Sequence, residues 1–251
     1  MVELRKLTQH EDFATLVELQ RQIWGFSDVE VLPIRFFVVA SHVGGQVFGA
    51  FDEQRMIGFL TGLPGLKHAG EGKEPEGYLH SHMLGVLPDY ANRGLGRMLK
   101  LLQREDCLMR GIRLVEWTFD PLEIKNAYFN IERLGAVMRR YVPNQYGTTQ
   151  SFLHTGLPTD RLVAEWRLDS PRVEDILNGK ATARGSLAGR VQIPAAIGQM
   201  RREDPKSARE VQRCVEEQFQ GYFAQGLAVI GYEKSDAGGA FLIGALPEDA
   251  Q

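Results

Sequence analysis

The chain has 251 residues, 43% hydrophobic and 24% charged, with a formal net charge of −3 at neutral pH. That supports a sizeable core and gives no reason to expect nucleic acid or an anionic membrane as partner. Two cysteines, Cys107 and Cys214, exclude a disulfide framework and a Cys-based metal site. The opening residues, "MVELRKLTQHEDF", lack the apolar core of a signal peptide, and no apolar run approaches membrane length; a cytoplasmic protein is expected.

Residues 2–8 alternate like a short strand. Thr8 to Asp12 offers capping residues for a helix reaching Trp24, with Phe13, Leu16, Val17, Ile23 and Trp24 on one face. "LPIRFFVVASHVGG" is ambiguous. Its β-branched and aromatic residues favour strand, while its length and Gly44-Gly45 favour helix. "QVFGAFD" and "RMIGFLTGLPG" read as a hairpin turning at Glu53-Gln54. A loop over 67–77 leads to the strand "YLHSHMLGVL", a turn, and a helix from about Arg93 to Arg110. Strand "RLVEWTF" follows, then helix "LEIKNAYFNIERLG" ended by Gly135, and strands over 136–142 and 160–169. After Pro171 come a short helix and a Gly/Ala-rich linker, "NGKATARGSLAG". A helix from Pro205 carries Ala208, Val211, Val215, Phe219 and Tyr222 on one face, and residues 227–246 form a last hairpin.

The turn between the 78–87 strand and its helix holds Gly94 and Gly96, costly at a helix start unless something approaches the backbone. A Walker A loop is excluded by spacing, and a dinucleotide fingerprint needs Gly where Leu99 stands. Two readings stay open on the glycines alone. The amides of Asn92 to Arg97 converge on an anion at the helix N-terminus, aided by Arg93 and Arg97, or the turn simply packs helix on sheet.

The run "GVLPDYANRGLGRML" after a strand, with "EWTFDP" and "NAYFNIERLGA" behind it, resembles the GCN5-related N-acetyltransferase superfamily (GNAT). The resemblance implies a mixed α/β (α+β) fold, a mostly antiparallel twisted sheet flanked by helices. It covers residues 1–169 and makes "PIRFFVVASHVGG" a helix. Residues 170–251 are then a C-terminal extension of helices and a β-hairpin, packed on the core or on a partner subunit, which leaves a homodimer open. One departure is Ala91, where the family usually has Arg or Gln; Arg93 beside Gly94 is a common family choice.

In that family the pyrophosphate of coenzyme A sits on the turn and the preceding strand pairs with the pantetheine arm. The resemblance therefore assigns cofactor binding to Leu84, Gly85, Val86, Asn92, Arg93, Gly94, Leu95, Gly96 and Arg97, with Asn126 on the later helix. A backbone N–H near Gly85 and Val86 would polarise the thioester. The implied reaction moves an acyl group, acetyl first, from acyl-CoA to an amine of a small molecule or amino acid in one ternary complex, without a metal.

An ammonium of pKa about 10.4 is rarely deprotonated at pH 7, so a base is needed. His80 and His82, two apart on one strand, face the same side. His80 lies fourteen positions before Gly94, where some relatives carry a general-base Glu, so His80 is the expected base and His82 a relay or orienting partner. A metal pair through both lacks a recognisable third ligand. Glu116 and Asp120 are alternative bases, although Asp120-Pro121 fits turn chemistry. The family's thiolate-protonating Tyr falls on Ile131; Tyr128 is the preferred substitute, with Asn130 nearby. Cys107 is read as structural. Besides an acetyltransferase, a non-catalytic acyl-CoA sensor or scaffold and an enzyme using a larger donor such as succinyl-CoA remain open.

Overall fold

Alternation in "VELRK" produces the edge strand β1 (Val2–Lys6), antiparallel to β2 (Gln46–Asp52). The structure, a computed structural model, describes residues 2–67, 74–147, 156–182 and 184–246; most of the expected 67–77 loop lies outside them. Two compact units emerge, Met1–Glu116 and Trp117–Gln251. The family-like stretch ending at 169 runs through the first and into the second.

In the first unit β2 turns into β3 (Arg55–Lys67), which pairs antiparallel with β4 (Glu76–Val86). β4 runs parallel to β5 (Leu114–Phe119) through two residue pairs, Leu79↔Val115 and His80↔Glu116. Helices α1 (His10–Trp24), α2 (Ile34–His42) and α3 (Leu95–Met109) bury Phe13, Leu16, Phe37 and Leu99 in a core with Val47, Ile57, Phe59 and Leu60. The ambiguous segment is thus helix α2. Gln9 stands at the N-cap of α1 without a side-chain bond, contrary to the expected capping. Asp12 is instead taken by Arg5 of β1, at 2.8 Å through both oxygens. The register of β4 on β3 jumps from Gly62↔Ser81 to Thr61↔Met83, a bulge that leaves His82 as the extra residue.

The second unit begins inside β5. Where one long helix was expected, α4 (Ile124–Tyr128) passes into a π-helical turn, Phe129–Arg133. Gly135, at φ 83, closes it: Gly135 N–H reaches Ile131 O at 3.1 Å and Ala136 N–H reaches Asn130 O at 3.0 Å. Each bond spans one residue more than in an α-helical Schellman cap, as the widened turn requires. The strands run in the order β7-β6-β9-β10-β8, namely Arg161–Arg167, Val137–Val142, Ala228–Ser235, Gly238–Gly244 and Leu187–Pro194, all antiparallel. Three helices complete it: α5 (Pro171–Leu177), α6 (Ile197–Glu203) and α7 (Pro205–Ala224), the last capped by Asp204 on Ser207 N–H. The expected linker is cut short by β8, whose Val191 and Ile193 alternate inward, and α6 was not anticipated.

Candidate active site

β4 ends at Val86 and the chain makes a 3₁₀ turn, Pro88–Tyr90. Asn92 (φ 61) and Gly94 (φ 82) are left-handed, which is why α3 starts at Leu95 and not Arg93. The Tyr90 hydroxyl donates to Asp52 at 2.8 Å, and the Arg93 guanidinium lies 4.9 Å above the Tyr90 ring. Gly94 caps α3 and has no side chain to offer; the helix's first bond is Met98 N–H to Gly94 O at 3.1 Å. The amides of Leu95 and Gly96 precede that bond and point out of the helix end.

The glycines divide by cause. A Cβ on Gly94 would meet nothing within 4 Å, but its positive φ demands glycine. One on Gly96 would touch only Leu84 Cδ2 at 3.5 Å, ordinary contact, so neither packing nor backbone angle calls for glycine there. Gly85 is different: a Cβ would strike Trp24 at 2.7 Å and Ile23 at 2.9 Å of α1, so its smallness is a packing requirement. Leu84 and Val86 are half-buried and Leu95 is buried.

Upstream on β4, the ladder with β5 reaches only to His80↔Glu116, so beyond His80 the strand's residues run on towards the turn without a β5 partner. His80 and His82 do share a face, with ring centroids 5.9 Å apart, and His82 lies 5.7 Å from Phe36 of α2. Burial pushes both imidazoles below their ordinary value; for His80, His82 and Lys100 push the same way and Glu116 opposes. Both are therefore neutral at neutral pH. Glu116 is buried in an ion pair with Lys67.

In the second unit Asp120 has a turn role, as its Oδ1 accepts Leu122 N–H at 2.9 Å while Oδ2 accepts from Arg201 at 2.6 Å. Asn126 is exposed on α4, and the half-buried Tyr128 carries the Lys234 ammonium 3.7 Å from its ring centroid. Ile131 is fully buried inside the π turn, and Asn130 is buried beside it. Among the described residues, no three His, Cys, Asp or Glu side chains gather to hold a metal, and no helix is long and apolar enough to cross a membrane. Sequence reasoning passed over Lys100 and Ser81. The signal was Gln103, a polar residue in the otherwise apolar row Leu95, Leu99, Cys107.

Residues 13–129 match the model of the acetyltransferase (GNAT) family. No curated protein matches the sequence. Among solved structures, Arabidopsis thaliana NAA60 in complex with acetyl-CoA is 17% identical, with a TM-score of 0.53 over 66% of this chain and 99% of that one. The ribosomal-protein-S18-alanine N-acetyltransferase from Escherichia coli is 16% identical, TM-score 0.51, over 67% and 94%. YncA from Salmonella typhimurium with its cofactor acetyl-CoA is 16% identical, TM-score 0.52, over 67% and 95%. At such identities the likeness carries the fold, a mixed α/β architecture with a largely antiparallel sheet, and the family match lies on the strand, glycine turn and helix described above. Over residues 13–129 the sequence matches a GNAT-family acetyltransferase domain.

Proposed function

We propose that this protein transfers an acyl group, acetyl first, from acyl-CoA to the amine of a small molecule or amino acid in one ternary complex, in the cytoplasm, with residues 1–169 as the acyltransferase domain. The observation that carries the reading is on β4. Its pairing with β5 stops at a neutral imidazole, and the same strand then leads into a helix start whose Gly96 serves neither packing nor backbone angle. Acyl-CoA phosphate at the turn and thioester alongside Leu84 to Val86 would use both features. His80 takes the proton from the attacking amine, directly or through a water, and His82 orients it. The Lys67 partner of Glu116 makes that carboxylate a weaker candidate, and Arg201 does the same for Asp120. Asn126, as a coenzyme A contact, and Tyr128, as the acid returning a proton to the leaving thiolate, rest on the family resemblance.

Release of free coenzyme A thiol, measured with acetyl-CoA and succinyl-CoA against a panel of amines and amino acids, tests the reading. Amine-dependent thiol release is expected. Tight acyl-CoA binding by calorimetry without release for any acceptor would replace it with a non-catalytic acyl-CoA-binding module.

A further inference from the structure

The hairpin joining β2 to β3 reaches the glycine turn through its closing pair. Asp52 and Arg55 face each other across it, with Glu53 at φ 54 in the turn. Opposite charges so placed ordinarily attract one another. Here Asp52 Oδ2 instead accepts the Tyr90 hydroxyl at 2.8 Å, and the Arg55 guanidinium lies 5.9 Å from the centroid of the Tyr90 ring. Arg93 lies over the same ring at 4.9 Å. Two exposed guanidiniums therefore gather on one half-buried ring, and among the described residues neither has a carboxylate within ion-pair distance. An aromatic face offers an exposed cation only about 0.5–1 kcal/mol, a weak answer to two like charges. A guanidinium over a ring also keeps its N–H donors, which suit an oxyanion in bidentate fashion. Arg93 is two residues before Leu95, whose amide and that of Gly96 make no helical bond.

We infer that Arg55 belongs to the donor site: on the Tyr90 platform it forms, with Arg93, a phosphate clamp that favours acyl-CoA over a bare acyl-pantetheine. This rests on the proposed binding of acyl-CoA at the turn, and it adds a residue from the β2–β3 hairpin that the glycine-turn motif does not contain. The Asp52–Tyr90 bond sets the platform, because it fixes the ring between the two arginines' elements. Acyl-CoA carries two kinds of phosphate, the pyrophosphate and the ribose 3′-phosphate, and the same clamp chemistry serves either. Glu53 and Asp89, exposed on the same two turns, partly offset the attraction for an anion.

The test titrates the full chain, Arg55→Gln and Arg55→Lys by calorimetry with acetyl-CoA, 3′-dephospho-acetyl-CoA and acetyl-pantetheine. Arg55 is exposed, so both variants should fold as the wild type. Arg55→Gln is expected to weaken acetyl-CoA binding by about three- to tenfold at low ionic strength, and by less at high salt. Arg55→Lys, which keeps the charge and loses the planar fork, should fall between. Weakening confined to acetyl-CoA assigns Arg55 to the 3′-phosphate; weakening with both nucleotides assigns it to the pyrophosphate. Acetyl-pantetheine, which has neither group, should not distinguish the variants. Unchanged acetyl-CoA affinity in Arg55→Gln, or an equal loss for acetyl-pantetheine, overturns the inference and leaves the acyltransferase reading in place. A wild-type chain that binds no acyl-CoA overturns that reading, and the clamp with it.

Discussion

In the second unit a buried charge meets its opposite. Arg201 of α6, 7% exposed, is held by Asp120 at 2.6 Å and Glu123 at 2.9 Å, and the buried Glu165 of β7 is held by Arg139 and Arg140 of β6. In the first unit the buried Glu116 also meets a cation, Lys67, but the inward Lys100 donates to Ser81 and Gln103, and partial burial pushes the half-buried His80 and His82 below their ordinary value. The physics of the two arrangements differs. A charge closed by a partner has little field left for its surroundings, and its value lies in tying elements together. An inward polar group held by hydrogen bonds ties a strand to a helix as well. Both units tie elements with ion pairs, but the half-buried imidazoles whose proton affinity burial lowers, His80 and His82, lie in the first.

The hardest way to break that comparison is to cut the second unit. A chain ending at Ser170 loses α7 and β8 to β10. That bares Met138, paired with Val229, and Tyr141, stacked on Phe219 at 5.8 Å. β6 would become a raw apolar edge, so aggregation or dye-binding collapse is expected on size exclusion. A soluble, fully active truncated chain would show that the extension is dispensable and that the second unit needs no such ties.

In the first unit, His80→Gln should lower kcat by about 10²–10⁴ with acyl-CoA affinity nearly unchanged. Since the folded-state imidazole lies below its ordinary value of about 6.5, the wild-type kcat/KM should fall only as pH drops below that value. The variant should lack this acid limb. Turnover that survives in His80→Gln but is lost in Glu116→Gln would move the base to β5.

Arg201→Met probes the opposite style. It takes one cation from Asp120 and Glu123, and stability should fall by less than the about 3–5 kcal/mol of a fully stranded buried charge, because Arg161 still attracts Asp120; the share owed to Glu123, 47% exposed, is the smaller because solvent screens it. Denaturant unfolding measures this. Adding Asp120→Asn should restore part of the loss, because the carboxylate that Arg201 answered is then neutral. No loss in the single variant would mean that the ion pair ties nothing.

What the sequence made legible follows the same division. Periodicity and turn residues place β1 to β7 and α1 to α3 because each is a local pattern: alternation in "QVFGAFD", Gly44 after α2, and the two glycines before α3. The π turn was not legible, because "NAYFNIERLG" has ordinary helical spacing; Asn130 and Ile131 are buried within it. β8 starts inside the Gly- and Ala-rich stretch, and its short alternation, Val191 and Ile193, lies past that stretch where it pairs with β10. His80 and His82 could be put on one face from their spacing alone. The Ser81–Lys100–Gln103–Gln46 chain could not, since its members come from three elements distant in sequence.

The smallest effect separates anion binding from packing at the turn. Gly94 is a poor probe, because its φ of 82 strains any replacement whatever binds there. Gly96 is the better one. Its Cβ position has 3.5 Å to Leu84, and its backbone is helical, so Gly96→Ala should fold as the wild type or slightly better, by about 0.5–1 kcal/mol of helix propensity. Gly96→Val is bulkier outward, towards whatever approaches the amides. If an anionic group rests on the amides of Leu95 and Gly96, losing one such charge-assisted bond costs about 1.5–3 kcal/mol. Acyl-CoA affinity measured by calorimetry should then fall by roughly tenfold to a hundredfold in the valine variant, with melting temperature little changed. Pantetheine, which lacks the pyrophosphate, should be indifferent to the substitution. Unchanged acyl-CoA affinity in a folded Gly96→Val protein would return the turn to helix-on-sheet packing and remove the cofactor from this end of α3.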